Sequence, residues 1–143
     1  MKLDENSILV NEDANTWQEA IDKAGNILKK QGKITQIYID MMKQAVIDLG
    51  PYMVIMPGFA LAHAEPSEAV IETSISLITL KNPVNFNSHN DPVYVVMCLA
   101  CVDKTSHIEV LSQIAIKLMR EGVVEELSRC TSITEVMNCL DIA

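Results

Sequence analysis

Residues 92–102 read Pro-Val-Tyr-Val-Val-Met-Cys-Leu-Ala-Cys-Val. From Val93 to Val102 every side chain is apolar, aromatic or a thiol, with β-branched valines prominent. The run is about half the roughly 20 residues that a membrane-spanning helix needs. It has the length and branching of a central strand buried on both faces. A strand of that kind needs cover on each side, so the rest of the chain must supply helices to both faces of a sheet.

The segments on either side agree. Upstream, Glu72 to Leu80 alternates (Thr73, Ser74, Ile75, Ser76, Leu77, Ile78, Thr79, Leu80) and predicts a second strand. Lys81-Asn82-Pro83 reads as a turn, Val84-Asn85-Phe86 as a short extended piece and Asn87 to Asp91 as a polar loop. Tyr52 to Met56 and Phe59 to Ala64 are two further β-type runs around the Pro57-Gly58 break, and Ser7 to Val10 reads as an edge strand or a docked N-terminal segment. Helices flank this middle third. Thr16-Trp17-Gln18-Glu19 fits a capping box, with Trp17, Ile21, Ala24, Ile27 and Leu28 behind it and Gly32 at the end. A second helix is expected from Thr35, with a stripe of Ile37, Met41, Met42, Ala45, Val46 and Leu49 and a stop at Gly50-Pro51. Downstream, Ser106-His107-Ile108-Glu109 fits a capping box ahead of Val110, Leu111, Ile114, Leu118 and Met119. Val123 to Cys130 and a segment from Ser132 predict two short helices. The expected fold is α/β: a three-layer sandwich, with a mixed, mostly buried sheet and helices on both faces, as one domain over 1–143.

Composition narrows the function. The chain has 143 residues, 49% of them hydrophobic, and 11 basic against 19 acidic residues, for a net charge of −8. That balance argues against nucleic acid or an anionic membrane as partner and suits a partner with a basic face. Asp4 and Glu5 stand where a secretory signal would be apolar, and no run is long enough for membrane insertion, so a cytoplasmic location with free thiols is expected. Phosphate-loop, dinucleotide, zincin and nucleophile-elbow motifs are absent.

Three histidines remain as candidates. His63 stands in Pro57-Gly-Phe-Ala-Leu-Ala-His-Ala-Glu-Pro66. On a strand Phe59, Leu61 and His63 share one face, and Ala60, Ala62 and Ala64 the other. Small neighbours before a turn leave the imidazole reachable; the plain reading is a solvated residue at a strand end. His107, in the first turn of a helix capped by Ser106, would point toward the sheet, where free backbone N–H groups favour an anion and a neutral imidazole; the plain reading is a histidine at the core edge. His89 lies in a polar loop and reads as solvated. Cys98 and Cys101 spell C-x-x-C, but positions i and i+3 of a strand face opposite sides, so two buried thiols are expected rather than a redox or metal pair. Cys130 and Cys139 fall on helices, with Cys139 expected in the core.

Four segments together resemble a known family: Pro57-Gly-Phe-Ala-Leu-Ala-His-Ala-Glu-Pro66, Ser76-Leu-Ile-Thr-Leu-Lys-Asn-Pro-Val-Asn-Phe86, Asn90-Asp-Pro-Val-Tyr-Val-Val-Met-Cys-Leu-Ala-Cys-Val-Asp103 and Ser106-His-Ile-Glu-Val-Leu111. Thr16-Trp-Gln-Glu-Ala-Ile21 also fits. They resemble the enzyme IIA domain of the bacterial sugar phosphotransferase system, mannitol/fructose type, and most of all its ascorbate-specific members. The resemblance implies a phosphocarrier, needing no cofactor or metal. His63 would accept a phosphoryl group from the phosphorylated histidine phosphocarrier protein and pass it to a cysteine of enzyme IIB, which serves the membrane enzyme IIC. His107 would stabilise and orient the phosphoryl group. The sugar would be ascorbate or of the mannitol, fructose or galactitol type; it binds the membrane component, not this domain. A homodimer is compatible with the sequence. Ala62 stands where many relatives have proline, and Glu65 where many have a small or basic residue; Glu65 is expected to point outward. Two other readings stay open: an enzyme-IIA-like regulatory module phosphorylated on His63, and a thiol redox or metal-binding protein using Cys98 and Cys101.

Overall fold

The computed structural model describes residues 3–142; within the helix over residues 104–118, the side chains of His107, Val110 and Leu111 lie outside the described residues. The long apolar run is strand β5 (Val93–Ala100), and it lies at the centre of the sheet. The other strands are β1 (Ile8–Glu12), β2 (Val54–Met56), β3 (Phe59–Ala62) and β4 (Ser74–Val84), in the order β1-β4-β5-β3-β2. β4 and β5 are antiparallel, as are β2 and β3, whereas β1–β4 and β3–β5 are parallel. The sheet is mixed, as expected.

Alternation along the strands divides the core in two. Ala60, Ala62, Ile78, Val96 and Cys98 face helices α1 (Trp17–Lys30) and α2 (Gln36–Leu49), with Ile21, Leu28, Tyr38, Ile39 and Met42. Phe59, Leu61, Leu77, Met97 and Leu99 face the other layer, which includes Ile114 and Leu118 of α3 (Lys104–Leu118), Val123, Val124 and Leu127 of α4 (Val123–Arg129) and Val136 of α5 (Ile133–Cys139). Each face thus carries its own apolar cluster, which is what a fully apolar central strand requires.

Several elements differ from the sequence reading. The turn expected at Lys81-Asn82-Pro83 is instead exposed backbone inside β4, where the register against β5 shifts between Thr79 and Val84; proline is tolerated there because the local ladder is broken. The α2 stripe is rotated by one position: Tyr38, Ile39, Met42 and Val46 are buried, whereas Ile37 and Leu49 are 65% and 73% exposed. Ser106 does not cap α3. Asp103 does, its carboxylate accepting from the Ser106 N–H at 2.7 Å, so the helix begins earlier. An acidic cap suits the positive end of the helix dipole better than a hydroxyl. Met119, expected inward, lies past the end of α3 and is exposed. The Thr16 cap holds, but Glu19 reaches back to Asn15 N–H rather than to the cap residue.

Candidate active site

β3 and β5 run parallel, so their C-terminal ends lie at the same edge of the sheet. His63 directly follows β3 there, and the N-terminus of α3 follows β5 past Cys101. Two parallel strand ends with a helix start beyond them form the usual place for a ligand in sheets of this class. The described geometry brings the backbone of the two predicted site residues to the same edge; the side chain of His107 lies outside the described residues.

His63 is half-buried, with Phe59 and Leu61 in one core cluster and Ala60, Ala62 and Ala64 in the other, as the alternation predicts. Its Nδ1 lies 2.6 Å from the Leu61 carbonyl oxygen. A carbonyl only accepts, so Nδ1 carries the proton in this contact. The neutral ring then holds its lone pair on Nε2, the nitrogen farther from the backbone.

The segment carrying this ring is held at several points. The Leu61 N–H donates to the Met53 carbonyl at 2.8 Å. Tyr52 Oη donates to the His63 carbonyl at 2.6 Å, and its ring meets the imidazole edge-on, at 5.1 Å between centroids and 86° between planes. Tyr38, wholly buried, accepts from the Ala64 N–H at 3.0 Å and donates to the Leu99 carbonyl at 2.9 Å. Burial raises the pKa of both phenols, so both remain neutral donors. Neither tyrosine was singled out from the sequence. For Tyr52 the available signal was an aromatic residue directly after the Gly50-Pro51 helix stop; for Tyr38 it was a hydroxyl within an apolar helix face.

Other candidates resolve by position. Glu65 is exposed, as expected. His89 is exposed in its loop. Cys98 lies in the cluster under α1 and α2, and Cys101 in the opposite one, so the two sulfurs do not share a side of the sheet. Burial pushes the Cys98 thiol up to about 12 and also raises Cys101. Cys139 is half-buried rather than core, with its sulfur 3.3 Å from a Glu126 carboxylate oxygen. The free N–H group expected at the start of α3 is, at Ser106, already satisfied by Asp103. Ser106 Oγ instead lies 3.3 Å from Thr73 Oγ1, tying the helix start to the strand edge.

Comparison with known proteins places this arrangement. The family model described as phosphoenolpyruvate-dependent sugar phosphotransferase system, EIIA 2, matches residues 1–142. The ascorbate-specific PTS system EIIA component of Salmonella choleraesuis (strain SC-B67) is 38% identical, over 95% of this chain and 90% of that protein. The solution structure of the mannitol-specific cryptic phosphotransferase enzyme IIA CmtB from Escherichia coli is 31% identical, with a TM-score of 0.87, over 96% of this chain and 94% of that one. Enzyme IIAMtl, in its complex with phosphorylated enzyme IIBMtl from Escherichia coli, is 26% identical, with a TM-score of 0.86, over 98% of this chain and 97% of that one. With its mixed sheet, its histidine at the strand edge and a family match along nearly its whole length, the chain belongs to the EIIA 2 family of phosphotransfer components in the phosphoenolpyruvate-dependent sugar phosphotransferase system.

Proposed function

We propose that His63 is the phosphorylated nucleophile of this phosphocarrier and that Nε2 is the nitrogen that takes the phosphoryl group. The supporting observation is the 2.6 Å contact between Nδ1 and the Leu61 carbonyl, which leaves the lone pair on Nε2. In the step, the Nε2–P bond forms as the N–P bond of the donor's phosphohistidine breaks, and the donor imidazole leaves with its electron pair. The Nδ1 proton stays on the ring, hydrogen-bonded to Leu61 O, where it stabilises the charge that builds up on the imidazole. In the second step, a cysteine sulfur of enzyme IIB attacks phosphorus, and Nε2 recovers its lone pair. Phosphoryl transfer of this kind depends on positioning more than on covalent chemistry by the surroundings.

The donor is the phosphorylated histidine phosphocarrier protein, and the acceptor is enzyme IIB, which delivers to the membrane enzyme IIC. The IIAMtl–IIBMtl complex supports the acceptor, and the net charge of −8 suits a donor with a basic face. The ascorbate-specific relatives support ascorbate as the sugar served. His107, at the start of α3, would orient the phosphoryl oxygens. No described helix is long and apolar enough to cross a membrane, which fits a cytoplasmic carrier. The two core clusters on the faces of one sheet support treating residues 1–143 as a single carrier unit.

Incubation with phosphoenolpyruvate, enzyme I and the histidine phosphocarrier, followed by mass mapping, tests the reading. One acid-labile phosphate on the peptide containing His63 is expected. Phosphate on another peptide, or none, overturns it.

A further inference from the structure

We infer that Tyr52 is a positioning residue for His63, setting both the height of the histidine backbone and the rotation of its ring at the strand edge. The inference rests on His63 being the phosphoryl acceptor. It starts from how residues 50–53 reach the site. Gly50 ends α2 at φ +84°, with its N–H on the Val46 carbonyl at 2.9 Å. Few side chains accept that backbone angle, and Pro51 then fixes the next one. The Tyr52 N–H turns back onto the Gly50 carbonyl at 2.9 Å. The helix therefore stops abruptly and delivers a tyrosine to the open end of β3.

Once there, the segment holds the histidine from two directions. Met53 accepts from the Leu61 N–H, fixing the residue whose carbonyl meets His63 Nδ1. Tyr52 Oη donates to the carbonyl of His63 itself at 2.6 Å. The tyrosine ring also stands perpendicular to the imidazole, at a centroid separation of 5.1 Å within the range for favourable edge-to-face pairs. A ring fixed at its backbone and along one side cannot swing freely about its χ angles. The contact between Nδ1 and Leu61 O survives only in a narrow range of those angles, because a hydrogen bond weakens steeply off line. Tyr52 thus preserves the tautomer that keeps the lone pair on Nε2 without touching the transferring group.

The test uses uniformly 15N-labelled, unphosphorylated full-length protein at about pH 8.5, well above the ordinary histidine pKa of about 6.5. Long-range proton–nitrogen correlation reads which ring nitrogen of His63 carries hydrogen. The wild-type protein is expected to show a protonated Nδ1 and a bare Nε2. Tyr52→Phe loses the hydroxyl bond but keeps the ring, and is expected to move both nitrogen shifts partway toward the averaged values of exchanging tautomers. Tyr52→Leu loses both contacts and moves them further. Acceptance of phosphate from the phosphorylated histidine carrier slows by about fivefold and by at least about tenfold, respectively, read as kcat/KM. Tyr94→Phe, at the opposite end of the sheet, leaves shifts and rate unchanged. If Tyr52→Leu fails to fold, Tyr52→Phe decides alone. Wild-type shifts in the variants overturn the inference, whether or not the rate falls, and so does a wild-type rate with moved shifts. Because the shifts are read before any phosphorylation, a phosphate mapped away from His63 refutes the proposed function separately.

Discussion

The two ends of strand β3 are built in opposite ways. At its N-terminal end, Gly58 sits at φ +80° in a tight turn, and a Cβ there would stand 3.2 Å from a Val124 methyl and 3.8 Å from the Tyr94 ring. The adjoining loop is closed by the Asp91 carboxylate, which accepts from the N–H groups of Phe86 and Ser88 at 3.0 and 2.9 Å. That end is fixed by steric fit, by main-chain turns and by one side-chain carboxylate. At the C-terminal end, side-chain hydroxyls and single carbonyls hold the backbone, and the residue they hold is a half-buried imidazole. The contrast shows where this fold places its constraints: packing and a turn define the strand's start, and hydrogen bonds fix the residues that follow its end.

The strongest way to break the comparison is at the histidine. His63→Gln should abolish phosphate acceptance completely while lowering Tm by no more than about 5 °C, since the side chain is not part of either core cluster and loses one hydrogen bond and one ring contact. A radiolabelled phosphoenolpyruvate assay beside thermal melts checks both halves. Residual labelling at wild-type level, or a collapse in Tm, would place His63 in the wrong category. Next in size is Tyr38→Phe. It leaves the buried Ala64 N–H and Leu99 carbonyl without their shared partner and should cost about 2 kcal/mol in urea unfolding, with unchanged m. A cost below about 0.5 kcal/mol would mean that the C-terminal end is not held as described.

At the other end, Gly58→Ala forces a side chain into the left-handed region and against Val124. It should cost about 1–2 kcal/mol, yet leave the phosphoryl-acceptance rate within about twofold of wild type. A large loss of rate would show that the two ends are coupled. The smallest effect concerns the interior behind the histidine. Cys98 pairs in register with Ala62, and burial holds its thiol near 12, against 9.0 when unfolded. Above pH 9 the unfolded chain gives up this proton while the native state keeps it, so this thiol's contribution to stability is constant below pH 9 and falls from there toward about pH 12. Native Cys98 should resist alkylation at pH 8 and react on unfolding. Rapid native labelling would show that water reaches behind the site.

Much of this was legible beforehand, for physical reasons that differ by element. The uninterrupted apolar run at Val93 to Ala100 required a strand covered on both faces, and the period-two pattern through Phe59 to Ala64 placed His63 on the last part of a strand with alanines on the other face, whereas β3 ends one residue before it, at Ala62. Gly32 and Gly50 marked helix ends correctly because only backbone angles were at issue. The misreadings came where tertiary contacts outweighed local signals. Lys81-Asn82-Pro83 has turn composition, but pairing on either side of it continues β4. Ser106 and Asp103 are both good caps, and the acidic one won. The α2 stripe was misplaced because Tyr38 looks polar; its hydroxyl is satisfied inside by Ala64 and Leu99, which lie 26 and 61 residues away. The hydroxyl contacts that hold the segment around His63 were invisible for the same reason: they join residues that only the assembled sheet brings together.

The central claim is that the Leu61 carbonyl fixes the proton on Nδ1 and presents Nε2 to phosphorus. Phosphorylating 15N-labelled protein and observing which ring nitrogen of His63 couples to 31P tests it directly. The account predicts coupling at Nε2 with Nδ1 still protonated. Coupling at Nδ1 would contradict it.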